Sequence, residues 1–132
     1  MSTRCFIGIK TELQFEKIIG IYCHHDGYPS WVGRKLTEHY NHESKIWALL
    51  GRGDISSLDE TPEKSESYFY DRKEEDFNAP QVFSSVDEVY EYHYHSDYEY
   101  TYIFDPNLGQ WFFCTYRDHN LQELTMKIIE ED

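Results

Sequence analysis

Basic residues are scarce in this chain. Its 132 residues hold 12 Lys and Arg against 25 Asp and Glu, a net charge of −13. Between Lys73 and Arg117 there is no Lys or Arg at all. Affinity for nucleic acid rests on neutralising phosphates with such residues, so most of this surface repels DNA and RNA. A run of about 18 apolar residues, the minimum for a membrane-spanning helix, is also missing. The opening Met1-Ser2-Thr3-Arg4-Cys5-Phe6 lacks the apolar core of a secretory signal. Cysteine is limited to Cys5, Cys23 and Cys114, an odd number without CxxC spacing, which fits a reducing cytoplasm better than a disulfide framework. There is no P-loop, GxGxxG or HExxH pattern, and no internal repeat.

Aromatic residues are plentiful, with 12 Tyr, 8 Phe and 3 Trp. A Tyr ring packs while its hydroxyl stays wet, so the count points to a sheet with partly buried faces. The length suits one domain, 1–132, around one core. Charge is uneven along it. Residues 1–53 carry seven Lys/Arg and five Asp/Glu, net +2, whereas residues 54–132 carry five basic and 20 acidic residues, net −15. Those carboxylates serve solubility, or they resemble nucleic acid to a basic partner.

Residues 3–10 and 15–23, rich in β-branched and aromatic side chains, predict a hairpin joined by a polar turn at 11–14. Asp26-Gly27 predicts a turn with positive φ at Gly27. Pro29 fixes the start of a helix over 31–40, and Ser30 is placed to cap it. Ile46, Leu49 and Leu50 give helical spacing within 41–52, with Gly51 as its left-handed terminus. Residues 59–67 and 71–80 read as exposed loops, flanking a strand at 68–70. Ser85 and Glu88 match a capping box for a helix from Val86, with Val89 and Tyr90 on its buried stripe. Residues 98–104 and 110–116 form the strongest strand pair, joined by Asp105-Pro106-Asn107-Leu108-Gly109. Asn120 is placed to cap a last helix carrying Leu121, Leu124, Ile128 and Ile129. The expectation is a single α+β domain, a mainly antiparallel sheet with three to four short helices on one face.

Three kinds of chemistry deserve weighing. Cys23-His24-His25-Asp26 offers four donors in succession, with His39 and His42, and His93, His95 and Asp97, as further groups. Adjacent donors on a strand do not converge on one ion, and zinc sites draw on ligand pairs far apart in sequence, so no metal or cofactor is expected. The same alternation turns Cys23 and His24 to opposite faces and argues against a thiol nucleophile. No other catalytic constellation emerges, and a non-enzyme is expected. Ligand binding has more support. Arginine is limited to Arg4, Arg34, Arg52, Arg72 and Arg117. A scarce Arg near aromatic rings suits a phosphate or a purine. Tyr70, Arg72, Phe77 and Asn78 form the best local group, since Asn reads a purine edge while a ring stacks on its face. Arg117 is a further candidate. The competing reading is a charged loop in which Arg72 pairs with Glu74 or Glu75.

The pattern Ile-Tyr-Cys-His-x-Asp-Gly-Tyr-Pro-x-x-Val-Gly-x-x-Leu-x-x-His-Tyr at 21–40, the opening residues 1–4, and Gly53-Asp54-Ile55-Ser56-Ser57-Leu58 resemble a family of small phage and prophage proteins. The likeness covers about the first 60 residues and, more loosely, Tyr70-Asp71-Arg72. The chain is similar to the Thoeris anti-defence sponge proteins. That resemblance implies a homo-oligomer in the host bacterial cytoplasm with nucleotide pockets between subunits. It implies capture, without cleavage, of a cyclised ADP-ribose signal made by TIR-domain enzymes. The alternative function is an acidic, DNA-mimic-like protein that inhibits a bacterial defence effector such as a CRISPR nuclease.

Overall fold

The computed structural model describes residues 3–12, 16–91 and 98–132. Leu13, Gln14, Phe15, Tyr92, His93, His95 and Asp97 lie outside the described residues. The chain opens with an antiparallel hairpin of β1 (Arg4–Glu12) and β2 (Glu16–Cys23), paired in register from Cys5↔Cys23 to Glu12↔Glu16. Alternation sends Cys5, Ile7 and Ile9 to one face and Phe6 to the other. Gly8 and Gly20 sit opposite each other. The Phe6 ring covers both, and a Cβ would lie 2.7 Å from it at Gly8 and 2.4 Å from it at Gly20.

A π turn, Pro29–Gly33, runs directly into α1 (Arg34–His39), and α2 spans Glu43–Leu50. Three short strands follow, β3 (Ile55–Ser57), β4 (Glu66–Ser67) and β5 (Gln81–Phe83), then α3 (Val86–Glu91). The chain closes with β6 (Tyr98–Asp105), β7 (Gln110–Thr115), β8 (Asp118–Glu123) and α4 (Met126–Glu131). The sheet order is β4-β3-β2-β1-β6-β7-β8. Pairing is antiparallel except for β1 with β6 and β2 with β3. β5 and β3 share one edge of β2: β5 pairs with residues 18–20 and β3 with Cys23. Between them the Tyr22 N–H is taken up by the buried Asp54 carboxylate at 3.0 Å.

The α+β class expected from the sequence is the one observed. α1, α2 and α4 lie on one face, where Leu36, Tyr40, Ile46, Leu49 and Ile129 meet the strand residues Ile7, Ile21, Tyr102 and Phe113. α3 takes the other face, with Val89 against Phe6, Ile18, Phe83, Tyr98 and Ile103. Two long-range hydrogen bonds tie helices and turn to the sheet: Trp111 Nε1 to the Tyr40 carbonyl at 2.9 Å and Tyr102 Oη to the Gly27 carbonyl at 2.7 Å.

Several local expectations are corrected. Asp26, not Gly27, has positive φ, at 57°. Gly27 instead lies so close to β1 that a Cβ would meet Cys5 Cβ and the Thr3 carbonyl at 2.8 Å. Ser30 caps nothing with its side chain. Its own N–H donates to the Asp132 carboxylate at 3.0 Å, supplied from beyond α4. Gly51 is right-handed at φ −64°, and the left-handed residue is Gly53, at φ 72°. The Ser85–Glu88 cap forms, with the Glu88 N–H donating to Ser85 Oγ at 3.2 Å. Residues 118–123 are a strand rather than a helix, because they complete the β7 ladder. The last helix begins later, where Thr125 Oγ1 accepts from the Ile128 N–H at 3.3 Å.

Candidate functional site

Residues 58–80 leave β3 and return as β5, so the segment starts and finishes at the β2 edge. The expected strand at 68–70 is a turn. Ser67 captures the donors that a longer strand would have spent on a neighbour: its carbonyl accepts from the Asp71 and Arg72 N–H groups at 3.0 and 3.1 Å, and its Oγ from the Tyr70 N–H at 3.1 Å. The Asp71 carboxylate accepts in return from the Ser67 N–H at 2.8 Å. The preceding loop is anchored by the buried Ser65, whose Oγ accepts from the Asp59 N–H at 2.9 Å and donates to the Thr61 carbonyl at 3.0 Å.

This local folding pairs Tyr70 with Phe77 in one ring cluster and Arg72 with Asn78 along one depression. Phe69, Tyr70 and Phe77 form a triangle of edge-to-face rings, with centroids 5.1, 5.3 and 6.0 Å apart. Tyr70 and Phe77 remain 46% and 40% exposed, an unusual degree for packed aromatic rings. The Arg72 guanidinium lies 5.3 Å above the Tyr68 ring rather than resting only on its neighbouring carboxylates. Arg72, Lys73, Glu74, Glu75, Asp76 and Asn78 line a depression that is largely open to solvent. The Asn78 carbonyl is pinned by the Asp54 N–H at 3.2 Å. Gly53 makes this return possible, since a Cβ there would meet the Asn78 carbonyl at 2.7 Å and the Phe77 ring at 2.8 Å.

Arg117 does not join the group. It sits on the turn between β7 and β8, near the opposite edge of the sheet from β4. There it donates to Tyr116 Oη at 2.8 Å and stacks over that ring. Three residues not singled out by sequence reasoning belong to the site. Lys73 lines the depression in a left-handed conformation, φ 58°. Tyr68 is the platform beneath Arg72. Arg52 reaches across from the end of α2, its guanidinium 5.2 Å over Tyr70 and its Nη2 2.5 Å from Asp71 and 3.3 Å from the Ser65 carbonyl. Their signal was present only as the rarity of arginine and the run Asp71-Arg72-Lys73.

The titratable groups of the site are set by the same geometry. The Ser67 N–H, with the Arg52 charge beside it, holds the Asp71 carboxyl below its ordinary range. Burial pushes the Tyr68 hydroxyl up, against the lowering effects of Ser56 and Arg72.

The Cys-His-His-Asp run is built differently. Cys23 is buried and its Sγ donates to the His25 carbonyl at 3.6 Å. His24 Nδ1 pairs with Tyr22 Oη, and the His24 and His25 rings meet edge to face at 4.5 Å. Burial drives the Cys5 thiol well up and the Cys114 thiol to about 11, so both stay protonated near neutrality. No group of three or more metal-donor side chains converges among the described residues. No described helix is long and apolar enough to cross a membrane. Comparison with protein-family models, with curated proteins and with solved structures returned no match.

Proposed function

We propose that this protein binds and holds a cyclic nucleotide signal of the cyclic ADP-ribose type without cleaving it. In the setting implied by the sequence resemblance, it acts as a phage-encoded anti-defence protein in the cytoplasm of a bacterial host. The observation that carries the reading is the pairing of exposed aromatic rings with cations in a chain of net charge −13. Tyr70 and Phe77 offer faces for a purine, Arg72 and Lys73 offer charge for phosphate, and Asn78 offers an amide for a base edge. The platform is held by backbone hydrogen bonds rather than by side chains alone, which lowers the ordering cost of binding. The test is incubation with cyclic ADP-ribose, removal of free ligand, and denaturation. Recovery of the intact molecule supports sequestration. Recovery of a hydrolysed product identifies an enzyme, and recovery of nothing removes the proposal.

A second reading has its own observation. Glu74, Glu75, Asp76, Asp87, Glu88, Asp118, Glu123, Glu130 and Glu131 are all exposed, an array suited to a basic groove on a defence effector. Binding of that kind weakens steeply as salt rises, whereas capture on stacked rings is far less sensitive.

A further inference from the structure

The two faces of the sheet are covered unequally. Three helices pack on one face, whereas among the described residues α3 is the only helix on the other. α3 has six residues and is about 9 Å long, while the nine residues of β1 extend about 30 Å. α3 therefore covers one end of its face, where Tyr90 stacks on His119 at 4.2 Å. Toward the other end Ile18, Ile103, Phe112 and Leu121 line a small cleft, with Lys10, Glu16 and Asp105 at its rim. Strand pairing puts these side chains on one face, since Lys10 is the register partner of Ile18 and Ile103 that of Phe112. Ile18 and Ile103 are buried, and Leu121 is 40% exposed. The charges at the rim do not balance. Lys10 Nζ lies 3.2 Å from Glu16 and 3.7 Å from Asp105, so one cation meets two carboxylates. Asp105 is held in place, its Oδ1 accepting from the Asn107 and Leu108 N–H groups at 2.9 and 3.4 Å. Glu123, exposed and opposite Phe112 in register, adds a third carboxylate on the same face.

We propose that this cleft binds a small organic amine. The aryl or alkyl body of the ligand lies against Ile18, Ile103, Phe112 and Leu121, and its ammonium sits on the Glu16 and Asp105 carboxylates. Apolar walls with a few polar groups at the mouth are the usual form of a small-molecule site. An ammonium has three N–H donors, and its bonds to carboxylates are charge-assisted. An anionic ligand would have to displace Glu16 or Asp105 from Lys10, whereas a cation meets the surplus carboxylate directly. The net charge of −13 also draws small cations toward the surface. The cleft shares no residue with the depression at 72–78, so this binding is independent of the nucleotide reading.

The experiment titrates the full chain, labelled at Ile and Leu methyl groups, with 2-phenylethylamine and with 3-phenylpropionate, and follows the methyl NMR signals. The two probes share a ring and a spacer and differ in the sign of their charge. The amine should shift the Ile18, Ile103 and Leu121 methyls in a saturable way, with a Kd ~tenfold or more below that of the carboxylate. Glu16→Gln, at an exposed position, keeps the shape and removes one charge, and it should narrow the ratio of the two Kd values by ~threefold or more. Leu121→Ala removes one wall of the cleft and should weaken the amine by ~threefold or more. Equal affinity for the two probes, or a preference for the carboxylate, overturns the proposal. So does an amine that shifts none of these three methyls, or a Kd ratio that Glu16→Gln leaves unchanged.

Discussion

The Arg52 guanidinium lies over Tyr70 at 5.2 Å while its Nη2 holds the Asp71 carboxylate at 2.5 Å. One side chain thereby fixes two consecutive residues of the 58–80 segment to the end of α2. Arg52→Ala should cost about 1–2 kcal/mol, the range for a hydrogen bond to a charged group with partial exposure. Arg52→Lys should recover little, since an ammonium cannot stack and fork at once. Thermal melting gives the magnitude. Hydrogen exchange gives the location, with faster exchange expected at 66–78 and unchanged protection in β1 and β6.

The Asp71 carboxyl is held below the value of 3.8 ordinary for Asp. A depressed folded value means that the unfolded chain takes up the proton first as pH falls. The stabilisation is therefore complete above the ordinary value and is lost as pH drops through the folded one. Asp71→Asn should remove part of the acid sensitivity of the melting temperature below pH ~4 and leave the profile near neutrality flat.

At the alkaline end the sign is reversed in its chemistry. Burial raises the Tyr40 hydroxyl to about 12, and Tyr22, Tyr90 and Tyr102 also rise. The unfolded chain ionises first, so stability is full below pH 10 and declines above it, with Tyr40 contributing up to about pH 12. Phenolate absorbance followed against pH should show a cooperative phase from these buried hydroxyls, coincident with loss of secondary structure. A single gradual titration would contradict the burial of these hydroxyls.

Gly53 tests the link between fold and site. Gly53→Ala places a methyl group against the Phe77 ring and the Asn78 carbonyl at a left-handed position. A destabilisation of about 1–2 kcal/mol is expected. Because the clash falls on Phe77 and Asn78, binding of cyclic ADP-ribose should weaken more than global stability does.

The candidate residues themselves separate by position. Arg72→Ala, Phe77→Ala and Asn78→Ala should each weaken cyclic ADP-ribose binding by ~tenfold or more, in line with the loss of one stacking or charged contact. Arg117→Ala should leave it unchanged, since its guanidinium rests on Tyr116 near the far edge of the sheet. Calorimetry on the four variants decides the matter, and a loss on Arg117→Ala alone would relocate the site.

The elements legible in the sequence were those with strong periodicity. The β1–β2 and β6–β7 hairpins, α1, α2 and the Ser85 cap all follow from alternation, spacing and local capping chemistry. What was not legible depended on partners distant in sequence. Tyr68-Phe69-Tyr70 has strand composition, yet Ser67 and Asp71 close a turn around it. Residues 118–123 have no apolar alternation and become a strand because β7 offers them a ladder. Ser30 looked like a cap, but the carboxylate near α1 comes from Asp132. Proximity in sequence grouped Tyr70, Arg72, Phe77 and Asn78, of which Tyr70 and Phe77 share a ring cluster and Arg72 and Asn78 a depression. It could not bring in Arg52, 18 residues upstream of Tyr70, or separate Arg117 from them.

The shared edge of β2 has an evolutionary consequence. Because β3 and β5 dock on the same strand at different heights, the 23 residues from 58 to 80 form an excursion that leaves and rejoins the sheet at one edge, tied back to it by β4 and by the Asp54 N–H to the Asn78 carbonyl. Its exposed side chains can change while the sheet keeps its register. The outer side chains of the excursion are thereby free to vary while the scaffold that presents them is kept.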